Sequence, residues 1–287
     1  MSQKIAVAIV HGVGKQSADF AEGMKKELKE RFAKLLEGRA KPTELAFQPV
    51  FWAEVLQKTE NELWRRLRSG KLRYRALREF MVDFAADAIA YQPSPKESEI
   101  YDEVHAVFAQ ALSDLADTAG PRAPLCVIAH SLGTVIASNY FYDLDPDRRR
   151  RLVPDSVRKV LGRDTTPLER GETFALFYTL GSPIAIWSLR YKDFGRPIDV
   201  PASKLPQHHL NLRGEWVNFY DPDDIIAYPL KSLNDVYAKV VTQDERVNVG
   251  GILTSWNPAA HMGYWTDNDV TKPIAASLAE TWKAVNP

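Results

Sequence analysis

Ser131 stands at the centre of Ala129-His130-Ser131-Leu132-Gly133, with an apolar, β-prone run (Leu125 to Ala129) before it and helical apolar spacing (Val135, Ile136, Tyr140) after it. Strand, one tight turn with a serine at its tip, then helix is the layout that lifts a serine hydroxyl out of a sheet as a nucleophile. Ala129 and Gly133, two residues either side, are small enough for the turned backbone to pass its neighbours. The Leu132 N–H then lies at a helix start, where a developing oxyanion could be held. His130 and Gly133 shape the turn itself.

A serine hydroxyl becomes a good nucleophile when a base takes its proton, and histidine is the usual base near neutral pH. In this arrangement the acid and the base follow the serine in the order Ser, Asp or Glu, His. Of the six histidines, His11 and His130 precede the serine, His105 reads as structural on a helix face, and His208 and His209 precede the acidic cluster. His261 follows that cluster and is the expected base. Asp221, Asp223 and Asp224 compete for the carboxylate that orients it. Asp224 leads because Ile225-Ile226-Ala227 would anchor a loop beneath it; Asp221, nearer the strand end, is the runner-up and Asp223 comes last.

The second oxyanion donor is expected from the turn after the first buried strand, His11-Gly12-Val13. There Gly12 lets the backbone present the Val13 N–H and His11 orders the loop. Gly12-Val13-Gly14-Lys15 lacks the spacing of the phosphate-binding glycine loops.

These residues need a scaffold of buried strands alternating with helices. Ile5–Val10, 45–52, 125–129, 174–180, 216–220 and 247–253 read as strands. Residues 17–37 carry Phe20, Met24, Leu28, Phe32 and Leu36 at four-residue spacing, an amphipathic helix. The span 53–119 is too long for a simple crossover and reads as a helical insertion, with helices around 54–68, 72–90 and 97–117. Residues 144–172, with Arg148-Arg149-Arg150-Arg151, read as an irregular excursion, either lid or surface loop, and 270–285 as a closing helix. The fold class expected is α/β, a mostly parallel sheet flanked by helices in a single domain over 1–287.

Thirty-seven basic and thirty-seven acidic side chains cancel, which argues against a nucleic-acid partner. The lone Cys126, mid-strand, reads as a buried small hydrophobe, and no intramolecular disulfide can form. No signal-peptide pattern and no apolar run of membrane-spanning length are present, so a cytoplasmic location is expected. Residues 58–78 hold eight Lys or Arg against two Glu, interleaved with Leu63, Trp64, Leu67 and Leu72. Such a span is either a solvated helix face or an element that touches anionic lipid transiently.

Five collinear segments carry a resemblance: 10–14 (Val-His-Gly-Val-Gly), 129–134 (Ala-His-Ser-Leu-Gly-Thr), 179–183 (Thr-Leu-Gly-Ser-Pro), 220–228 (Tyr-Asp-Pro-Asp-Asp-Ile-Ile-Ala-Tyr) and 261–265 (His-Met-Gly-Tyr-Trp). Together they resemble lipase and esterase members of the α/β-hydrolase superfamily. Within it the nearest likeness is to DDHD-type intracellular phospholipases, with Asp87 and Tyr91, 129–133 and 221–228 on their motifs and Asp224 on the second acid. Ala129 stands for the first elbow glycine of that group, Asp221 for a histidine, and Ile225 and Pro229 for proline and arginine. The resemblance implies an α/β-hydrolase fold, cleavage of a small-molecule or lipid ester through an acyl-enzyme on Ser131, and no cofactor or metal. The same groups would serve an acyltransferase, thioesterase or amidase, and a hydrolase fold that binds without turnover is the reading from another class.

Overall fold

The computed structural model describes residues 2–13, 16–67, 87–91, 99–145, 155–162, 164–249 and 260–287. Six strands form one all-parallel sheet: β1 (Ile5–Val10), β2 (Leu45–Val50), β3 (Leu125–His130), β4 (Phe174–Leu180), β5 (Glu215–Tyr220) and β6 (Gln243–Arg246), in the order β2-β1-β3-β4-β5-β6. The helices between and after them are α1 (Glu22–Leu35), α2 (Ala53–Leu67), α3 (Glu99–Ala119), α4 (Leu132–Leu144), α5 (Asp155–Leu161), α6 (Ile184–Ser188), α7 (Leu205–His208), α8 (Asp235–Val240) and α9 (Asn268–Val285). The chain is α/β, as expected.

Two apolar layers follow from the two-residue period of the strands. Ile5, Val7 and Ile9 point to one face, where Met24, Leu28 and Phe32 of α1 and Ile274, Leu278 and Trp282 of α9 cover them. Ala6, Ala8 and Val10 point to the other, against Phe108 and Leu112 of α3 and Ile136 and Tyr140 of α4. Every residue of β1, β3 and β4 is buried, which is why those strands read as nearly continuous apolar runs.

The edges behave differently. β2 carries Pro49 opposite Ile9, tolerated because an edge strand has a side that pairs with nothing in the sheet. The other edge is β6, four residues of Gln-Asp-Glu-Arg. The expected strand over 247–253 is therefore displaced: the paired residues are 243–246, while 247–249 extend beyond the pairing and 250–253 lie outside the described residues. An edge strand needs no apolar period, so the apolar run that follows it draws the eye instead.

The expected helices over 54–68 and 97–117 correspond to α2 and α3; most of that expected over 72–90, and most of the basic span, lies outside the described residues. Arg65 and Arg66 at the end of α2 are exposed and pair with Glu62 at 2.6 and 2.8 Å. In the 144–172 excursion, α5 is helical and Arg148 to Arg151 fall outside the described residues. Cys126 is buried, and no helix among the described residues is long and apolar enough to cross a membrane.

β1 lies between β2 and β3, so the chain winds outward in one direction from β1 and in the other from β3. The crevice at the carboxyl ends of the strands where the order reverses is where open α/β sheets place ligands. The register aligns those ends: Val10 pairs with Ala129, His130 with Leu180, and Leu180 with Phe219. Residues 11, 131, 181 and 221 therefore leave the sheet along one edge.

Candidate active site

Ser131 is the first residue past β3 and caps α4 with φ 51° and ψ −130°. A non-glycine residue held at positive φ stores roughly 1–3 kcal/mol and persists when its surroundings fix it. Here they do. The Ser131 N–H donates to the Leu180 carbonyl at 2.9 Å, and the Ser131 carbonyl accepts from the Thr134 N–H at 3.0 Å and from the Thr134 hydroxyl at 2.7 Å. Thr134 Oγ1 in turn lies 2.8 Å from Ser182 Oγ, which accepts the Ile184 N–H at 3.2 Å. The elbow is thereby tied to the exit of β4. Its hydroxyl is spare: Ser131 Oγ is buried with no hydrogen-bond partner among the described residues.

The glycines on either side of the turn are required by close approach. A Cβ on Gly12 would overlap the Ser131 Cβ and stand 3.1 Å from Ser131 Oγ; one on Gly133 would overlap the His11 carbonyl oxygen. The His11-Gly12-Val13 turn thus packs directly on the serine, with Val13 and Leu132 both buried at the site.

His11 orders that turn. Its Nε2 accepts the Trp52 and Ala53 N–H groups at 3.1 and 3.2 Å, so the ring proton sits on Nδ1 and is donated to the Gly12 carbonyl at 2.7 Å. The Trp52 indole N–H donates back to the His11 carbonyl at 2.9 Å, and the two rings stack at 4.7 Å. Burial pushes the His11 pKa down to about 4, so the ring is neutral near pH 7.

His261 lies in a 3-10 segment, Ala260–Trp265, and its Nδ1 is 2.7 Å from Asp224 Oδ2, both side chains buried. A carboxylate can only accept, so Nδ1 carries the proton and Nε2 the lone pair. Burial alone would raise the Asp224 pKa. The His261 hydrogen bond and charge, the Ile226 N–H at 3.1 Å on Oδ1 and the Tyr264 phenol at 3.0 Å on Oδ2 outweigh it and hold the carboxyl below its ordinary range. The Asp221 carboxylate instead braces the loop, accepting the Asp223 N–H at 2.9 Å and the Val249 N–H at 2.8 Å. Asp223 is exposed.

His130 joins the Ser131 turn to the His261 segment. Its Nε2–H donates to the His261 carbonyl at 2.6 Å and its ring lies 4.7 Å from that of His261. Burial first, then the neighbouring His261, pushes its pKa down to about 3, so this ring too is neutral. The remaining histidines are elsewhere: Nε2 of His105 is 2.8 Å from the Tyr91 hydroxyl, that of His208 is 3.0 Å from Glu172, and that of His209 is 2.6 Å from the Arg122 carbonyl.

Ser131, Asp224, His261, His11, Gly12, Val13, His130, Leu132 and Gly133 therefore gather at one end of the sheet. Sequence reasoning missed Thr134, Ser182 and Tyr264. The spacing of Tyr264, three residues after His261 and so on the same side of a helical turn, was the available signal. No model of a known protein family matches the chain, and no curated protein matches it.

Proposed function

We propose that the chain is a serine hydrolase of the α/β-hydrolase type, a lipase- or esterase-like enzyme that cleaves carboxylic esters through an acyl-enzyme on Ser131, with 1–287 as one domain. The observation that carries this reading is the buried His261–Asp224 pair at 2.7 Å, at the same end of the sheet as a serine whose strained φ of 51° sets at a strand-to-helix turn a hydroxyl with no hydrogen-bond partner among the described residues.

His261 Nε2 takes the Ser131 proton as Oγ attacks the acyl carbon. The carbonyl oxygen becomes an oxyanion held by the Val13 and Leu132 N–H groups. The ester C–O bond breaks as the imidazolium gives its proton to the departing alkoxide. Water then repeats the sequence: His261 takes its proton, hydroxide adds to the acyl carbon, and Ser131 leaves with the proton returned. Asp224 accepts the Nδ1–H throughout and stabilises the imidazolium that forms twice per turnover.

The neutral state of His11 and His130 supports the same reading, because two further cations beside an imidazolium would raise the energy of the very state that catalysis needs. The test is turnover of a chain-length series of p-nitrophenyl esters by the wild type and by Ser131→Ala. Turnover that falls at least about 10³-fold in the variant supports the assignment; turnover that survives it removes Ser131 as the nucleophile.

A further inference from the structure

Tyr264 is completely buried, yet it carries a hydroxyl. That oxygen accepts the Asp221 N–H at 2.9 Å and donates to Asp224 Oδ2 at 3.0 Å, the same carboxylate oxygen that takes the His261 Nδ1–H. A directed chain results, from Asp221 N–H to Tyr264 O–H to Asp224 Oδ2, with His261 arriving at that oxygen from the other side. Burial first, then the Asp224 charge, pushes ionisation of the phenol far up, so it is a donor at every working pH.

The three side chains are seated as a unit against one residue of β4's exit. A Cβ on Gly181, at φ 57°, would stand 2.9 Å from Tyr264 Cε2, 3.1 Å from Asp224 Oδ2 and 3.1 Å from His261 Cε1. A ring that merely filled this space would not need an oxygen; a buried phenol costs desolvation unless both its roles are used, and here they are.

We propose that Tyr264 is a positioning residue that sets the base strength of His261, by sharing Asp224 Oδ2 and so limiting the negative charge that oxygen presents to the imidazole. The inference rests on His261 being the base of the proposed reaction. Among the described residues, the titratable groups seen against His261 include Asp224 from the loop after β5, His130 from the end of β3 and Tyr264 from its own segment, with Asp221 reaching Tyr264 through its backbone N–H. His130 is neutral, and the Asp221 carboxylate is occupied by two N–H groups, so removal of the phenol acts through Asp224.

The sign follows. Without the phenol, Asp224 Oδ2 has one donor fewer, its charge is offered more fully to His261, and the imidazolium is favoured. In Tyr264→Phe the acid limb of the pH profile for fluorophosphonate labelling of Ser131 moves to higher pH, equivalent to about a three- to tenfold gain in proton affinity at His261. In an Asp224→Asn background the same substitution leaves the limb where it is. NMR titration of the His261 ring in the full chain, assigned by loss of its signal in His261→Gln, reads the same shift without any reaction. That titration still decides the inference if the wild type is not labelled, an outcome that would count against the proposed function alone. Should Tyr264→Phe not fold, the wild type answers: the buried Tyr264 hydroxyl proton must change its chemical shift as His261 titrates. A limb and a ring titration that do not move in Tyr264→Phe, or a hydroxyl resonance indifferent to His261, would overturn the proposal and leave Tyr264 as packing.

Discussion

His130 Nε2 donates to the main-chain carbonyl of His261 at 2.6 Å, so the residue just before the serine grips the backbone of the histidine 131 positions later. Their rings lie 4.7 Å apart, tilted by 38°. The position of His261 is thereby referred to the strand that leads to Ser131 and not to its own segment alone.

His130→Phe keeps a ring in that place and removes the N–H. It leaves a buried carbonyl without its donor, costing about 1–3 kcal/mol in chemical denaturation, and frees the 261 segment to drift. A displacement of about 1 Å costs roughly 100-fold in rate, so kcat should fall by one to two orders of magnitude with KM little changed. An unchanged kcat would show that the grip is dispensable.

The two aspartates of the loop after β5 divide into one bonded to the His261 ring and one that braces the backbone. Asp224→Asn can present an amide N–H toward Nδ1 and so favours the wrong imidazole tautomer; kcat should drop by about 10⁴-fold. Asp221→Asn weakens the hold on the Asp223 and Val249 N–H groups, so its effect should appear mainly in stability, about 1–3 kcal/mol, with kcat within about tenfold of the wild type. Steady-state kinetics and urea melts on both variants check this; a crippling Asp221→Asn with an active Asp224→Asn would exchange the roles.

Three buried histidines govern the response to acid. Burial lowers the pKa of His11 to about 4, of His105 to about 3 and of His130 to about 3, each from an ordinary 6.5. Below pH 6.5 the unfolded chain binds protons there that the folded chain does not, so stability is full above that pH and falls as the pH drops toward 4. Each histidine contributes about 1.4 kcal/mol per pH unit in that window. Urea midpoints that fall steeply from about pH 6.5 to about 4.5, and less steeply in His105→Gln, are the expected result; a flat profile would contradict it.

Much of this was legible because the buried strands announce themselves. Ile5–Val10 is apolar throughout, and Phe174–Leu180 nearly so, since both faces of the sheet are covered, and their ends point to the loops that follow. β6 was not legible: a short polar edge strand is specified by its partner, and Asp244 within it serves the loop beside it, accepting the Leu230 and Lys231 N–H groups and the Asn218 amide. The pairing of Asp224 with His261 could be read because Asp224 heads an anchored loop after a strand and His261 follows it in the chain. The link between Thr134 and Ser182 could not, because it is a hydrogen bond between segments far apart in sequence; for Tyr264 the spacing from His261 gave its side of the turn but not its bond to Asp224.

The most direct measurement is active-site labelling. Wild-type protein treated with a fluorophosphonate, digested and analysed by mass spectrometry, should carry one adduct on the peptide containing Ser131. His261→Ala should slow that labelling by several orders of magnitude and Ser131→Ala should abolish it. An adduct on another residue, or labelling at the wild-type rate in His261→Ala, would contradict the account at its centre.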